Sequence, residues 1–192
     1  MEQKKNKLLS DMIQNDTDKK MVQLVEAATD LSCGDICTLL EVAHSLPFVG
    51  NLEGGDTYIN VLTREKESMV IAQYRHPNYD LYKRSIIGEI ERREDEPAVY
   101  RALEEGISGR GLIGIIDEGR TVVRHTVSPI LNSEKKVIGA LTYEYPNAGA
   151  DTESIRIINN QEGKQDPFNR QLGKASDYLQ DAILLYDANG IC

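Results

Sequence analysis

Two pairs of β-rich segments, each joined by a short polar turn, constrain the fold of this chain most strongly. TYINVLT and MVIAQY are separated by residues 64–68, and TVVRHTVSPIL and VIGALTYEY by residues 132–136. Runs rich in Val, Ile, Thr and Tyr between polar turns are typical of strands, and short connections favour antiparallel hairpins. The sequence therefore predicts two hairpins of one antiparallel sheet, with a less regular strand-like segment at residues 86–90 between them.

Helical patterns precede and interrupt these strands. A capped helix is predicted to begin after Ser32 and to end at Pro47, with an apolar stripe that lies on the sheet. Another helix is predicted to begin at Pro97 and to end at Gly106. The overall prediction is an α+β fold. Two N-terminal amphipathic helices are indicated by apolar residues at helical spacing, namely Leu8, Leu9, Met12 and Ile13, then Val22, Val25 and Ala28.

Length and charge exclude several classes of protein. A chain of 192 residues is suited to one well-packed domain with linkers. No apolar run approaches the roughly 20 residues that span a bilayer, and no signal peptide is visible, so we expect a cytoplasmic protein without a membrane partner. A net charge of -9 without a basic, aromatic-rich cluster argues against nucleic-acid binding. Three cysteines do not make a disulfide framework.

The composition changes near the C-terminus. Residues 147–166 are polar and predict a linker between residues 30–146, the main domain, and residues 167–192. The last segment combines a connecting helix with AILLYDANGIC, the start of a hairpin. Because two strands alone cannot bury both faces, we expect the natural protein to continue after Cys192. Residues 1–29 form a separate N-terminal helical segment in this division.

Several motifs resemble nucleotide, metal or phosphoacceptor sites, but a structural role explains each of them better. Residues 108–114, SGRGLIG, match a nucleotide-binding glycine pattern, but a helix precedes them, so we expect a loop without phosphate. Cys33 and Cys37 share a helix face without further metal ligands in view, which favours buried packing. His125 has no visible partner for a metal or haem, and His44 has no phosphoacceptor motif around it. We therefore predict no metal and no catalytic residue.

A concentration of tyrosine and arginine beside the sheet is the candidate ligand site. Tyrosine offers an apolar wall, a hydroxyl group and a face that attracts cations. A small amine or another polar metabolite could therefore lie between the sheet and residues 75–84, although tyrosines that only complete the core explain the pattern equally well. Tyr143 and Glu144 point to opposite faces of one strand, and we favour Tyr143. The candidate ligand-binding residues are Tyr58, Tyr74, Arg75, Tyr79, Tyr82, Arg124 and Tyr143.

The order of segments resembles the N-terminal sensor domain of cytosolic bacterial sensor histidine kinases, a GAF-like domain followed by a PAS domain. The similarity covers residues 30–146 and depends on LSCGDICTLLEVAHSLPFV before GDTYINV, on IIGEIERREDEPAVYRALEEG, and on TVVRHTVSPIL before VIGALTYE. The tail SDYLQDAILLYDANGI is similar to the entry of a PAS domain. The resemblance implies a GAF/PAS-like antiparallel sheet flanked by helices, with N-terminal helices and a C-terminal linker helix.

The resemblance also implies a regulatory role in a two-component system. The chain would bind a small molecule, ethanolamine if it is related to the ethanolamine-responsive sensor kinases, and relay the bound state as a homodimer to PAS and kinase domains. This segment would not be an enzyme and would hold no cofactor. ATP, Mg and the response regulator would belong to the kinase domain of the whole protein, an ATP-dependent protein histidine kinase. The alternative is a dimerisation or partner-docking module without a small-molecule ligand.

Overall fold

An antiparallel sheet of six strands forms the centre of the computed structural model, which describes residues 9–78, 81–82, 84–116 and 121–146. The strand order is β3-β2-β1-β6-β5-β4, and every neighbouring pair is antiparallel. The predicted hairpins are present as β1–β2 and β5–β6. The strands are β1 Asp56–Leu62, β2 Ser68–Tyr74, β3 Ile90–Glu91, β4 Gly109–Ile116, β5 Thr121–Leu131 and β6 Val137–Pro146.

Side chains cap the N-terminal ends of the first two long helices, whereas glycines end the second and third. Helix α1 is Asp16–Ala28, α2 is Cys33–Glu53 and α3 is Pro97–Glu105, and residues 9–12 are also helical. Ser32 and Asp35 form a reciprocal capping box at the start of α2. Gly106, at φ 70°, ends α3 in the left-handed conformation, as predicted.

Arg64, in the turn between β1 and β2, caps the C-terminal end of α1. Its guanidinium group donates to the carbonyl oxygen of Ala27 at 2.6 Å and to that of Thr29 at 2.5 Å. It also contacts the Asp30 carboxylate at 2.7 Å. Because the last carbonyls of a helix lack partners within the helix, these bonds fasten α1 to the first hairpin.

The prediction that α2 ends at Pro47 is wrong, because the helix continues to Glu53. Proline removes one backbone donor and costs about 3 kcal/mol within a helix. Two side chains of the sheet hold the part of α2 around Pro47 in place. Thr57 Oγ1 donates to the Leu46 carbonyl oxygen at 3.1 Å, and Tyr74 OH donates to Asn51 Oδ1 at 2.9 Å. Tertiary contacts therefore outweigh the local signal of the proline.

The glycine-rich segment of residues 108–114, which is predicted to be a loop, lies largely in strand β4, so that prediction is also wrong. The register against β5 shifts between Gly109 and Leu112, and Gly111 has φ 61°. Glycine suits such a bulge on the edge strand of a sheet because it lacks a side chain. The segment at residues 86–90 is irregular and leads into β3, which has two residues.

One face of the sheet packs against α1 and α2. Ile59, Val61 and Ile71 point toward these helices and are fully buried with Leu39 and Leu40 of α2. His44 Nε2 lies 3.1 Å from Asp18 Oδ2 and joins the two helices. Burial of apolar area contributes roughly 25 cal/mol per Å², so this larger apolar core between the sheet and the two helices is the main stabilising layer.

The opposite face is only partly apolar. Helix α3 covers part of it with Val99 and Ala102, which contact Val127 of β5. Tyr58, on the same face of β1, packs against Val70. The rest of this face carries the polar side chains described below.

Some expectations lie outside the described residues, among them the structure of residues 1–8, 147–166 and 167–192. Within the part of the chain that the structure describes, no helix is long and apolar enough to span a membrane.

Candidate functional site

A row of polar side chains crosses three adjacent strands on the α3 side of the sheet. Asp56 of β1 lies opposite Glu144 of β6, which lies opposite His125 of β5. Residues directly opposite one another in antiparallel strands project from the same face. Asp56 and Glu144 are 0 % exposed and His125 is 5 % exposed. The sheet therefore places two carboxyl groups and an imidazole inside the domain.

Glu144 is held by two tyrosine hydroxyl groups. Tyr58 OH donates to Oε1 at 2.9 Å, and Tyr82 OH donates to Oε2 at 2.5 Å. The two rings lie edge to face, with centroids 6.4 Å apart and planes at 85°. Hydrogen bonds to a carboxylate are short and strong compared with neutral ones. Both oxygens of Glu144 are thereby fixed in position.

His125 lies between Glu144 and a second carboxyl group, that of Glu96. Its Nδ1 is 3.6 Å from Glu144 Oε1 and 3.8 Å from Glu96 Oε2. Neither Nδ1 nor Glu96 Oε2 has a hydrogen-bond partner. Glu96 is the N-cap residue of α3, but its side chain makes no capping bond. We call Glu96, His125 and Glu144 the Glu–His–Glu cluster; one ligand atom from each lies within 4.8 Å of the others.

Glu91 of β3 lies nearby and has its own hydrogen-bond network. Its Oε2 accepts from Asn60 Nδ2 at 2.6 Å and from Ser68 Oγ at 3.3 Å. Tyr100 OH donates to the Glu91 carbonyl oxygen at 2.8 Å and accepts from the Ser68 amide at 2.9 Å. Helix α3 and strands β1 to β3 are therefore joined through a polar network.

Burial raises the pKa of the acidic groups on this face. Burial and the Glu144 carboxyl raise the pKa of Glu96 to about 9 and that of Glu91 to about 7. Burial and Glu144 also raise the pKa of Asp56, although a hydrogen bond from the His76 amide opposes the change. The pKa of the Tyr82 hydroxyl is raised by the same causes. Negative charge is thus costly here, and a bound cation would relieve that cost.

Among the residues whose burial the structure describes, no lysine or arginine is buried. Buried polar atoms are usually hydrogen-bonded, so atoms that lack a partner need an explanation. On this face they include Asp56 Oδ2, Asn60 Oδ1, Gln73 Nε2, Glu96 Oε2, His125 Nδ1 and Thr142 Oγ1.

The structure brings together two of the predicted ligand-binding residues, Tyr58 and Tyr82, which both contact Glu144. Tyr74 and Tyr143 lie on the opposite face near the end of α2. Tyr74 OH donates to Asn51, and Tyr143 OH donates to the Glu53 carbonyl oxygen at 2.6 Å. Arg124 and Arg75 are exposed. Tyr79 lies outside the described residues.

None of the three members of the Glu–His–Glu cluster is among the candidates. The sequence favours Tyr143 over Glu144, yet Glu144 is the residue that contacts Tyr58 and Tyr82. No partner of His125 is visible in the sequence, whereas the structure places two carboxyl groups within 3.8 Å of Nδ1. The alternation of Val123, His125 and Val127 on β5 was a signal for an inward histidine. The approach of Glu96 depends on the position of α3 and had no local signal.

Comparisons with known proteins agree with this fold. The sensor region of a sensor histidine kinase is similar in structure, with a TM-score of 0.52, 17 % sequence identity and coverage of 72 % of this chain. This chain spans about half, 49 %, of that structure. The phycocyanobilin-bound GAF domain from a cyanobacterial phytochrome is a more distant likeness, with a TM-score of 0.39, 13 % identity and coverage of 87 % of this chain and 100 % of that one. No curated protein matches the sequence.

A family model gives the assignment. Residues 21–162, well over half of the chain, match the model described as the GAF domain of the histidine kinase PdtaS. The matched range includes β1 to β6 and all members of the Glu–His–Glu cluster. The chain therefore belongs to the family of GAF domains found in the histidine kinase PdtaS.

Proposed function

We propose that this chain senses a small positively charged ligand, which binds at the Glu–His–Glu cluster, and that it regulates a histidine kinase. Family membership supports the regulatory role. The observation that carries the ligand proposal is the burial of Glu144, at 0 % exposure, beside Glu91 and Glu96 without a buried lysine or arginine among the described residues. Buried carboxyl groups without counter-charges cost several kcal/mol, and a cation offsets that cost.

A protonated amine is one such cation. Ethanolamine, suggested by the resemblance of the sequence to ethanolamine-responsive kinases, would place its ammonium group against Glu144 or Glu96. Tyr58 and Tyr82 would then supply ring faces and edges beside it.

A thermal-shift experiment tests the proposal. We expect small cations, ethanolamine and divalent metal ions among them, to raise the melting temperature of the chain, because binding only to the folded state stabilises it. Glu144→Gln should abolish the response. Glu104→Gln is the matched control, since Glu104 lines a separate cavity of about 730 Å³. No stabilisation at millimolar concentration, or equal stabilisation of the Glu144→Gln variant, would refute a cation site at this face.

The relay that we propose begins at α3. Glu96 stands at the N-terminal end of that helix and faces Glu144 across the cluster. A cation that draws the two carboxyl groups together favours one position of the helix start, and so shifts the population of sensor conformations. PAS and kinase domains would receive this change in a cytoplasmic homodimer. Phosphotransfer to a response regulator would use ATP and Mg in the kinase domain.

A second candidate function, dimerisation without a ligand, is favoured by one observation. Phe48 and Leu52 lie one turn apart on α2 and are 71 % and 70 % exposed. Leu9, by contrast, is buried in the core of this domain. If a second copy covers α2, Phe48→Glu combined with Leu52→Lys should give a monomer in light scattering without loss of thermal stability. An unchanged mass would exclude this surface.

A further inference from the structure

We propose that the Glu–His–Glu cluster is a binding site for a divalent transition-metal ion, with Zn²⁺ as the probe. The inference rests on the proposed function, because it specifies the cation that the acidic face accepts. It concerns Glu96, His125 and Glu144, which come from α3, β5 and β6.

The donor set selects the class of metal. One imidazole nitrogen and two carboxylate oxygens suit Zn²⁺ and neighbouring first-row ions, which accept mixed nitrogen and oxygen ligands. Ca²⁺ and Mg²⁺ prefer oxygen ligands alone, so the imidazole disfavours them. Three protein ligands leave a fourth tetrahedral position open for water or another small molecule.

The distances fit such a site with small movements. Ligands bonded to Zn²⁺ at about 2.0–2.2 Å in tetrahedral geometry lie about 3.3–3.6 Å from one another. His125 Nδ1 is 3.6 Å from Glu144 Oε1 and 3.8 Å from Glu96 Oε2, and one ligand atom from each residue falls within 4.8 Å of the others. Because the Glu96 side chain makes no capping bond, it is not held in place by α3.

The unpartnered Nδ1 atom of His125 is an independent sign of a ligand. The residue is 5 % exposed, and Nδ1 has no hydrogen-bond partner. Both carboxylates lie within ion-pair distance of Nδ1, but they are farther away than the about 2.7–3.2 Å of an N–H···O bond, so neither of them supplies a hydrogen bond. Gly114 stands beside the ring, where a Cβ atom would lie 3.6 Å from Nδ1. The absence of a side chain there leaves space next to the nitrogen.

Second-layer contacts fix the orientation of the Glu144 carboxyl group. Tyr58 and Tyr82 donate to its two oxygens at 2.9 and 2.5 Å. Carboxylates that bind metals are themselves commonly hydrogen-bonded, and loss of such a partner typically weakens metal binding about 10–100-fold. Tyr82→Phe is therefore expected to weaken Zn²⁺ binding by that factor without removal of a ligand.

Thiol groups must be removed from the experiment because they also bind Zn²⁺ strongly. Cys33 and Cys37 lie at the start of α2, on the other side of the sheet. We would therefore use the full chain with Cys33, Cys37 and Cys192 replaced by serine.

Isothermal titration with Zn²⁺ tests the proposal in that background. We expect one ion to bind per chain, and we expect His125→Gln and Glu144→Gln each to weaken binding more than about 100-fold, beyond the loss typical of an outer contact. His44→Gln is the matched control, because it removes a histidine that faces a carboxylate, Asp18, on the other side of the sheet, and this variant should bind Zn²⁺ normally. Co²⁺ should show the visible absorption of a tetrahedral nitrogen and oxygen site, which His125→Gln abolishes.

Glu96→Gln removes the third ligand and keeps the test valid if the other two variants misfold. Because Glu96 makes no capping bond, this variant should keep the circular dichroism of the parent chain and still bind Zn²⁺ more weakly. Absence of binding to the thiol-free chain, or equal affinity of the His125→Gln and parent chains, would overturn the metal site. If ethanolamine stabilises the chain and Zn²⁺ does not bind, the metal inference fails while the proposed function stands. If no cation binds, both fail.

Discussion

Glu144 is a fully buried acidic residue at the centre of the Glu–His–Glu cluster. Its side chain is 0 % exposed, and it accepts hydrogen bonds from Tyr58 and Tyr82. These bonds offset part of the cost of burying the Glu144 carboxyl group. Burial is the largest cause of the raised pKa of Glu91 and of Glu96, and the nearby Glu144 carboxyl group is the second. Several acids on one face are therefore costly to keep ionised unless a cation binds.

Glu91 gives this account a pH dependence. Burial and Glu144 raise its pKa in the folded chain to about 7 from 4.5, and Glu89 adds to the shift although Asn60 and Ser68 oppose it. The folded state therefore binds the proton more tightly, so stability present below pH 4.5 declines as the pH rises toward 7. We expect unfolding in urea to require less denaturant at pH 8 than at pH 5.

Glu91→Gln should reduce this loss, on the order of a few kcal/mol at most, and should stabilise the chain at pH 8. Glu96 and Asp56 contribute in the same direction, so part of the dependence should persist. The exposed Glu65→Gln is the control. If the Glu91→Gln variant loses as much stability between pH 5 and pH 8 as the parent chain, Glu91 does not hold its proton as described.

Individual residues of the site are only partly predictable from the sequence. Tyrosine-rich composition led to Tyr58 and Tyr82, because aromatic residues next to strands are visible without a structure. Glu144 is not among the candidates, because it points to the face of its strand opposite Tyr143, and Tyr143 is the residue that we favour. Its burial depends on β1 and β5 on either side of β6, which no local pattern reveals.

Among the elements, strands were predicted better than helix ends. Period-2 patterns and polar turns are local, and both hairpins follow from them. The length of α2 is not local, since its last turn is held by Thr57 and Tyr74 of the sheet. The edge strand β4 was missed because glycines in a bulge resemble a loop in sequence.

The junction between α2 and β1 supplies a prediction about packing. A Cβ atom on Gly55 would lie 2.2 Å from the Glu144 carbonyl oxygen and 2.6 Å from the Tyr143 ring. Gly55→Ala must therefore displace β6, and we expect a loss of about 2–3 kcal/mol in the free energy of unfolding. Cation binding should weaken as well, because β6 carries Glu144.

Gly34→Ala is the matched control within α2. A Cβ atom there would lie 3.7 Å from its nearest neighbour, Ser32 Oγ, which is an ordinary contact. Since alanine is favoured over glycine in helices, stability should be unchanged or rise by up to about 1 kcal/mol. Equal effects of the two substitutions in urea unfolding would show that the close approach at Gly55 is not limiting.

At the scale of the whole molecule, the α+β fold with a flanked antiparallel sheet is confirmed, and the match over residues 21–162 places it in a GAF family of histidine kinases. The two faces of the sheet differ in chemistry. One joins α1 and α2 through an apolar core, and the other carries buried acids next to α3. We infer that stability depends mainly on the first face and sensing on the second.

NMR of the imidazole rings is the most direct test of whether the acidic face binds a cation and the apolar face does not. The sequence has three histidines, of which His44 lies between α1 and α2 while His125 lies in the cluster. In separate NMR titrations with ethanolamine and Zn²⁺, on the chain with its cysteines replaced by serine, at least one cation should shift the ring signals of His125 and leave those of His44 unchanged. Shifts confined to His44, or none with either cation, would contradict a cation site on the acidic face.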